Sequence, residues 1–186
     1  MLLDNKESCL LIVDVQEKLT PFVLDADQLV ERCSWLMSLA SDLDVPILVS
    51  EQYPQGLGHT LKQLSALHLK HAISKVHFSC FGDPSFMNAW QEMHKQQVVI
   101  AGIETHVCVL QTAMEMKQTG IDVFVVVDAV SCRYELDHKY ALKRMKQLGI
   151  HLITSEMVFF EWVRKAGTPE FKTLSQTYIP RSRNET

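Results

Sequence analysis

Three side chains of different chemistry stand at the ends of short apolar runs in this 186-residue chain. Asp14 closes Cys9-Leu-Leu-Ile-Val13, Lys75 interrupts Ala72-Ile-Ser-Lys-Val76, and Cys108 comes one short turn after Gln97-Val-Val-Ile-Ala101. A carboxylate can take a proton, an ammonium can answer negative charge, and a thiol can attack an electrophilic carbon. Together they make a base, an electrostatic partner and a nucleophile. Each alone has an ordinary alternative: a cap aspartate, a structural ion pair, or a small residue that lets a helix approach a sheet.

Cys108 is the most pointed of the three. Ala101-Gly-Ile-Glu-Thr105-His-Val-Cys108 runs from a strand end through a glycine into a helix that Thr105 is expected to cap. A thiol in that first turn faces unpaired N–H groups and the positive end of the helix dipole. With a lysine nearby, its pKa is expected to fall below that of a free thiol.

The elements that position these residues are legible in the hydrophobic pattern. Apolar, β-rich runs at 9–14, 45–49, 72–76, 97–101, 121–127 and 150–153 suit parallel strands buried on both faces. Amphipathic stretches at 27–43, 86–94, 105–119 and 137–148 suit helices, and Gly120 and Gly149 sit where a helix hands over to a strand. Residues 154–178, rich in aromatics, are expected to form terminal helices packed on the sheet or on a partner subunit. The alternation predicts an α/β fold with a doubly wound, mostly parallel sheet of about six strands and helices on both faces, a Rossmann-like three-layer arrangement. Such sheets bind ligands at the carboxyl ends of their strands, where all three residues fall. The length suits one domain over residues 1–186, with 180–186 expected to be a flexible tail.

Composition narrows the partners. The formal net charge of −4 offers no footprint for nucleic acid. The strongest apolar runs are five residues long, far from the roughly 20 a membrane helix needs. The N-terminus, Met-Leu-Leu-Asp-Asn-Lys-Glu, is unlike a secretory signal, so a cytoplasmic address is expected. The five cysteines, odd in number and without a C-x-x-C, are expected to be reduced, with Cys9 and Cys33 in the core. Cys80, in Phe78-Ser-Cys-Phe81, competes with Cys108 as the reactive thiol. Cys132 and Arg133 read as a loop leading into a helix. His59, His68, His71, His77 and His94 show no ligand spacing. Trp35, Trp90, Trp162, Phe159 and Phe160 exceed what one sheet sandwich obviously requires, which favours a homo-oligomer.

On Leu11-Ile-Val-Asp14-Val-Gln16, Ser74-Lys75 with Phe78-Ser79, and Ala101-Gly-Ile-Glu-Thr-His-Val-Cys108-Val, the chain resembles the isochorismatase-like cysteine hydrolases, among them nicotinamidases and N-carbamoylsarcosine amidohydrolases. The resemblance runs from the first strand to about Val158. It implies a catalytic triad of Asp14, Lys75 and Cys108, and a cis peptide at Ile103-Glu104 whose neighbouring N–H groups face an oxyanion. It also implies oligomers and hydrolysis of a C–N bond in a small amide-like substrate through a thioester. Gln16, Tyr53, Leu57, Phe78, Phe81 and His106 are the expected pocket residues.

Metal-binding amidases of the family carry Asp-x-His after the second strand. Here the stretch reads Glu51-Gln-Tyr53-Pro-Gln-Gly-Leu-Gly58-His59, so no metal or other cofactor is expected, and nicotinamide itself is disfavoured. The stretch looks like the isochorismatase-domain-containing subgroup. Two rival readings stay open: isochorismatase-type ether hydrolysis, which works without the cysteine, and a non-catalytic binding or scaffold protein on the same fold.

Overall fold

A computed structural model describes residues 1–67 and 72–179. The expected tail at 180–186 and the histidines His68 and His71 lie outside the described residues. Six strands form one sheet in the order β3-β2-β1-β4-β5-β6, and every pairing is parallel. They are β1 (Ser8–Val13), β2 (Ile47–Gln52), β3 (Ile73–Lys75), β4 (Gln97–Ile103), β5 (Asp122–Ser131) and β6 (His151–Ile153). The longer helices are α1 (Ala26–Asp42), α4 (Pro84–Glu92), α5 (Leu110–Gln118), α6 (Glu135–Gln147), α7 (Ser155–Val163) and α8 (Pro169–Tyr178). Two four-residue helices, α2 (Pro54–Leu57) and α3 (Lys62–Ser65), follow β2. No helix of the described residues is long and apolar enough to cross a membrane.

The strands read as continuous apolar runs because both faces of the sheet are covered. Along β1 and β4, Leu10, Ile12, Val99 and Ala101 point to a core shared with α1, α7 and α8. Cys9, Leu11, Val13, Val98 and Ile100 point to a second core with α4, α5 and α6. The period of two sends alternate residues to opposite faces, and each face is met by apolar helix stripes.

The aromatic-rich terminus belongs to the first core. Phe159 is fully buried, Trp162 nearly so, and Trp35, Tyr178 and Phe171 pack edge-on or tilted around Phe159 or one another. Trp90 is buried in the second core. These rings are therefore used within the chain, which removes the argument that they were surplus and required a second subunit. Only Phe160 of that set is well exposed.

Several boundaries differ from the sequence reading. Strand β5 continues to Ser131 because its pairing with β4 resumes after an irregularity between Ile100 and Gly102, with Val130 opposite Gly102. The polar residue Asp128 interrupts the apolar pattern without ending the strand. Beyond β2, Pro54–Leu57 and Lys62–Ser65 form short helices that the hydrophobic pattern does not signal. The strand order reverses between β1 and β4, and a crevice at the carboxyl ends of strands where the order reverses is the usual ligand site of such sheets.

Candidate active site

At that reversal β1 and β4 run unusually close. A Cβ on Gly102 would lie 2.1 Å from the Val13 carbonyl oxygen, and Gly102 has φ of +118°, so only glycine fits. Directly opposite, β1 ends in Asp14, whose φ of +52° turns the chain out of the sheet. The carboxylate is thereby left at the strand end, fully buried.

The structure brings Asp14, Lys75 and Cys108 together. Lys75, 2% exposed, reaches from the end of β3 and donates to Asp14 Oδ2 at 2.7 Å. Its ammonium also donates to Gln52 Oε1 at 2.6 Å, to the Phe78 carbonyl at 3.0 Å and to the His77 carbonyl at 3.3 Å. Burial opposes the charged ammonium, but the attraction of Asp14 prevails and the pKa of Lys75 is raised. The other carboxylate oxygen, Asp14 Oδ1, accepts from the Ser50 hydroxyl at 2.8 Å. Ser50 in turn accepts from the Cys80 thiol at 3.3 Å.

Cys108 is 6% exposed and stands on a single π-helical turn, Thr105–Val109, that precedes α5. Glu104 rather than Thr105 takes the N-cap position, and the Ile103–Glu104 peptide bond is cis. Single π turns recur at functional sites. Thr105 is fully buried, and its hydroxyl meets His138 Nδ1 from α6 at 3.0 Å.

The thiol pKa departs from the sequence expectation. Burial drives the Cys108 pKa strongly upward, the nearby Asp14 carboxylate pushes it further, and Lys75 only partly opposes them. The helix end and one cation do not outweigh desolvation and an adjacent carboxylate. The resting group is therefore a thiol beside a carboxylate, the arrangement in which a base can take the proton as the sulfur attacks. Cys80, fully buried, is pushed up to about 11, and Cys33 to about 12, in both cases mainly by burial.

The expected pocket residues divide. Gln16 is fully buried, and its amide is spent on the Gln52 backbone and the Gly58 carbonyl. It braces the site and leaves no side chain free to line a pocket. Tyr53 and Phe78 are each 53% exposed, and Leu57 and Phe81 are half-buried, Phe81 lying edge-on to Phe86. His106 is half-buried, and its Nδ1 has no hydrogen-bond partner. At the rim, Arg133 pairs with Glu104 at 3.0 Å, while Cys132 is buried and directs its thiol at the Tyr134 carbonyl. Gln52, Ser50 and His138 were missed by the sequence reading. Gln52 and Ser50 alternate with Glu51 on the last turn of β2, and that period was the available signal.

The acidic residue near the end of β2 is committed to its own loop. Glu51 accepts from the Thr60 backbone N–H at 2.6 Å and its hydroxyl at 2.8 Å, and meets His59 Nδ1 at 3.1 Å. Burial would raise the Glu51 pKa, but these partners bring it down overall. Among the described residues, no group of three or more His, Cys, Asp or Glu side chains is placed to hold a metal.

A family model described as the isochorismatase domain matches residues 8–157. Isochorismatase domain-containing protein 2A of Mus musculus is 39% identical over 172 residues, covering 92% of this chain and 82% of its own. Among solved structures, the MAR1 ribonuclease of Caenorhabditis elegans superposes with a TM-score of 0.90 at 35% identity, covering 98% of this chain and 94% of that one. The YcaC gene product of Escherichia coli, described as an octameric hydrolase of unknown specificity, gives 0.89 at 29% identity, covering 97% and 92%.

Proposed function

The chain belongs to the isochorismatase family, whose fold supports a hydrolase, and from that premise we propose that it is a cysteine hydrolase that cleaves a C–N bond of a small amide-like substrate. The observation that carries the proposal is the convergence of three groups at one buried point. Lys75 lies 2.7 Å from Asp14, and the charges of both act on the Cys108 thiol.

In this mechanism Asp14 takes the Cys108 proton as the sulfur forms a bond to the carbonyl carbon and the carbonyl electrons move to oxygen. In this reading the backbone N–H groups beside the cis peptide and Cys108 face that oxygen, where fixed donors act most strongly. Collapse breaks the C–N bond, and Asp14 returns its proton to the departing nitrogen, leaving a thioester on Cys108. Water then gives a proton to Asp14 as it attacks the thioester. The carboxylic acid leaves, and the sulfur recovers the proton. Lys75 remains charged throughout and stays 2.7 Å from the carboxylate as its counter-charge. A thiol with a raised pKa gives up its proton as it attacks, and in this reading Asp14 takes it.

A protein built this way acts as a homo-oligomer, in keeping with the octameric E. coli relative. A ribonuclease reading has its own support in the description of the C. elegans relative. Against it stand the net charge of −4 and reacting groups that are almost entirely buried. The test is turnover by wild type and Cys108→Ala on a panel of small amides, ureas and imides, with single-stranded RNA alongside. The proposal expects hydrolysis of one amide class by wild type alone. RNA cleavage without amide hydrolysis would replace it with the nuclease reading, and amide turnover surviving in Cys108→Ala would remove the nucleophile.

A further inference from the structure

Gln52, the last residue of β2, touches both reactive partners of Asp14. Its Oε1 accepts from Lys75 Nζ at 2.6 Å and from the Cys108 thiol at 4.0 Å. The amide is locked in that sense, because Nε2 donates to the Val76 carbonyl at 2.8 Å and the oxygen must then face the ammonium.

The backbone of Gln52 is held as firmly as its side chain. Pairing between β1 and β2 ends at Val13 opposite Ser50, since Asp14 turns the chain out of the sheet. Beyond that point the buried Gln16 amide stands in for the missing strand. Its Oε1 accepts from the Gln52 N–H at 2.7 Å, and its Nε2 donates to the Gln52 carbonyl at 3.0 Å. The extended geometry of β2 thus persists two residues past the last β1 pairing.

The donor arithmetic gives this arrangement a consequence. An ammonium has three N–H donors, and Lys75 meets four acceptors: Asp14, Gln52 and the carbonyls of Phe78 and His77. No donor is left for a sulfur anion. The groups of other elements that act on Cys108 are Asp14 from β1, Lys75 from β3 and Cys80 from the turn after β3. To these Gln52 adds a lone pair that accepts from S–H and repels a thiolate.

We propose that Gln52 is a positioning residue whose carbonyl oxygen holds the Lys75 ammonium on Asp14 and keeps Cys108 in its thiol form until Asp14 takes the proton, with Gln16 fixing Gln52 in that pose. The proposal rests on Cys108 being the nucleophile. It explains why two buried glutamines, neither of them ionisable, occupy the strand end beside three reactive groups.

The test is the rate of iodoacetamide labelling of the full chain at about pH 8, mapped by peptide mass, with melting temperatures measured in parallel. Below its pKa a thiol reacts in proportion to its thiolate fraction, so a shift of about one unit reads as about tenfold in rate. Gln52→Met removes the acceptor and should label Cys108 about tenfold faster. Gln52→Glu keeps the shape, adds negative charge and should label it at least tenfold more slowly. Gln16→Met, which releases Gln52 without entering the site, should move the rate in the same direction as Gln52→Met. A change that only opens the site would accelerate every variant, so the opposite response of Gln52→Glu separates access from electrostatics and stands even if Gln52→Met fails to fold. Lower melting temperatures with Cys108 labelling unchanged, or acceleration in Gln52→Glu, would overturn the proposal. Labelling of wild type at another cysteine would instead overturn the nucleophile assignment beneath it.

Discussion

Replacing Lys75 by methionine leaves a fully buried carboxylate without its counter-charge. Lys75 is 2% exposed and Asp14 is 0% exposed, so neither group is screened by water, and the pair spans 2.7 Å. Breaking a buried pair by removing one partner costs about 3–5 kcal/mol, because the remaining charge loses its compensation. In a chain of this size each kcal/mol moves Tm by about 2–4 °C, so Lys75→Met should melt roughly 6–20 °C below wild type near neutral pH. The Ser50 hydroxyl still serves Asp14 and places the expectation toward the lower part of that range. Asp14→Asn combined with Lys75→Met should recover most of the loss by removing the stranded charge outright. Thermal melts followed by circular dichroism near neutral pH give both values. Labelling of Cys108 should also slow in Lys75→Met, since Lys75 is the group that favours its thiolate. A single variant with the wild-type Tm, or a double variant no more stable than Lys75→Met, would refute the reasoning.

The remaining expectations are shorter. The raised pKa of Lys75 makes the pair's contribution complete below its ordinary value of 10.5 and lost as pH rises through the higher folded value, so alkaline melts should show a component absent from Lys75→Met. Glu51 has a lowered pKa, so its contribution is present above the ordinary value of 4.5 and lost as pH falls through the folded one. Glu51→Gln should therefore cost roughly 1–3 kcal/mol at pH 7 and nothing in strong acid, read from urea midpoints at both pH values. Turnover, once a substrate is found, should survive exhaustive chelation, and its loss with restoration by added zinc or iron would contradict that. Light scattering at micromolar concentration should give a mass of several subunits, and a monomer would contradict the homo-oligomer.

The architecture was legible because parallel strands covered on both faces leave runs such as Leu10–Val13 and Val98–Ala101, which few other elements produce. Asp14, Lys75 and Cys108 were legible for the same reason, as reactive residues stationed at strand ends. Gln52, Ser50 and His138 were not, because amides, hydroxyls and imidazoles on helices and strands are common. What distinguishes these three is contact with residues 23 to 56 positions away: Thr105 for His138, Asp14 for Ser50, and Lys75 and Cys108 for Gln52. The thiol pKa was misjudged because position on a helix can be read from sequence, whereas the depth of burial and the facing of Asp14 cannot. The sequence left the terminal aromatics between the sheet and a partner subunit because Trp35, which packs on Phe159 and Tyr178, lies on a helix far away in the chain.

The most direct test of the central claim is intact-protein mass spectrometry during turnover of a hydrolysed amide, quenched in acid and followed by peptide mapping. The account predicts a transient mass increase equal to the acyl group, carried as a thioester on the peptide containing Cys108, removed by hydroxylamine and absent from Cys108→Ala. Steady turnover with the acyl group on another residue, or undiminished turnover by Cys108→Ala, would contradict it.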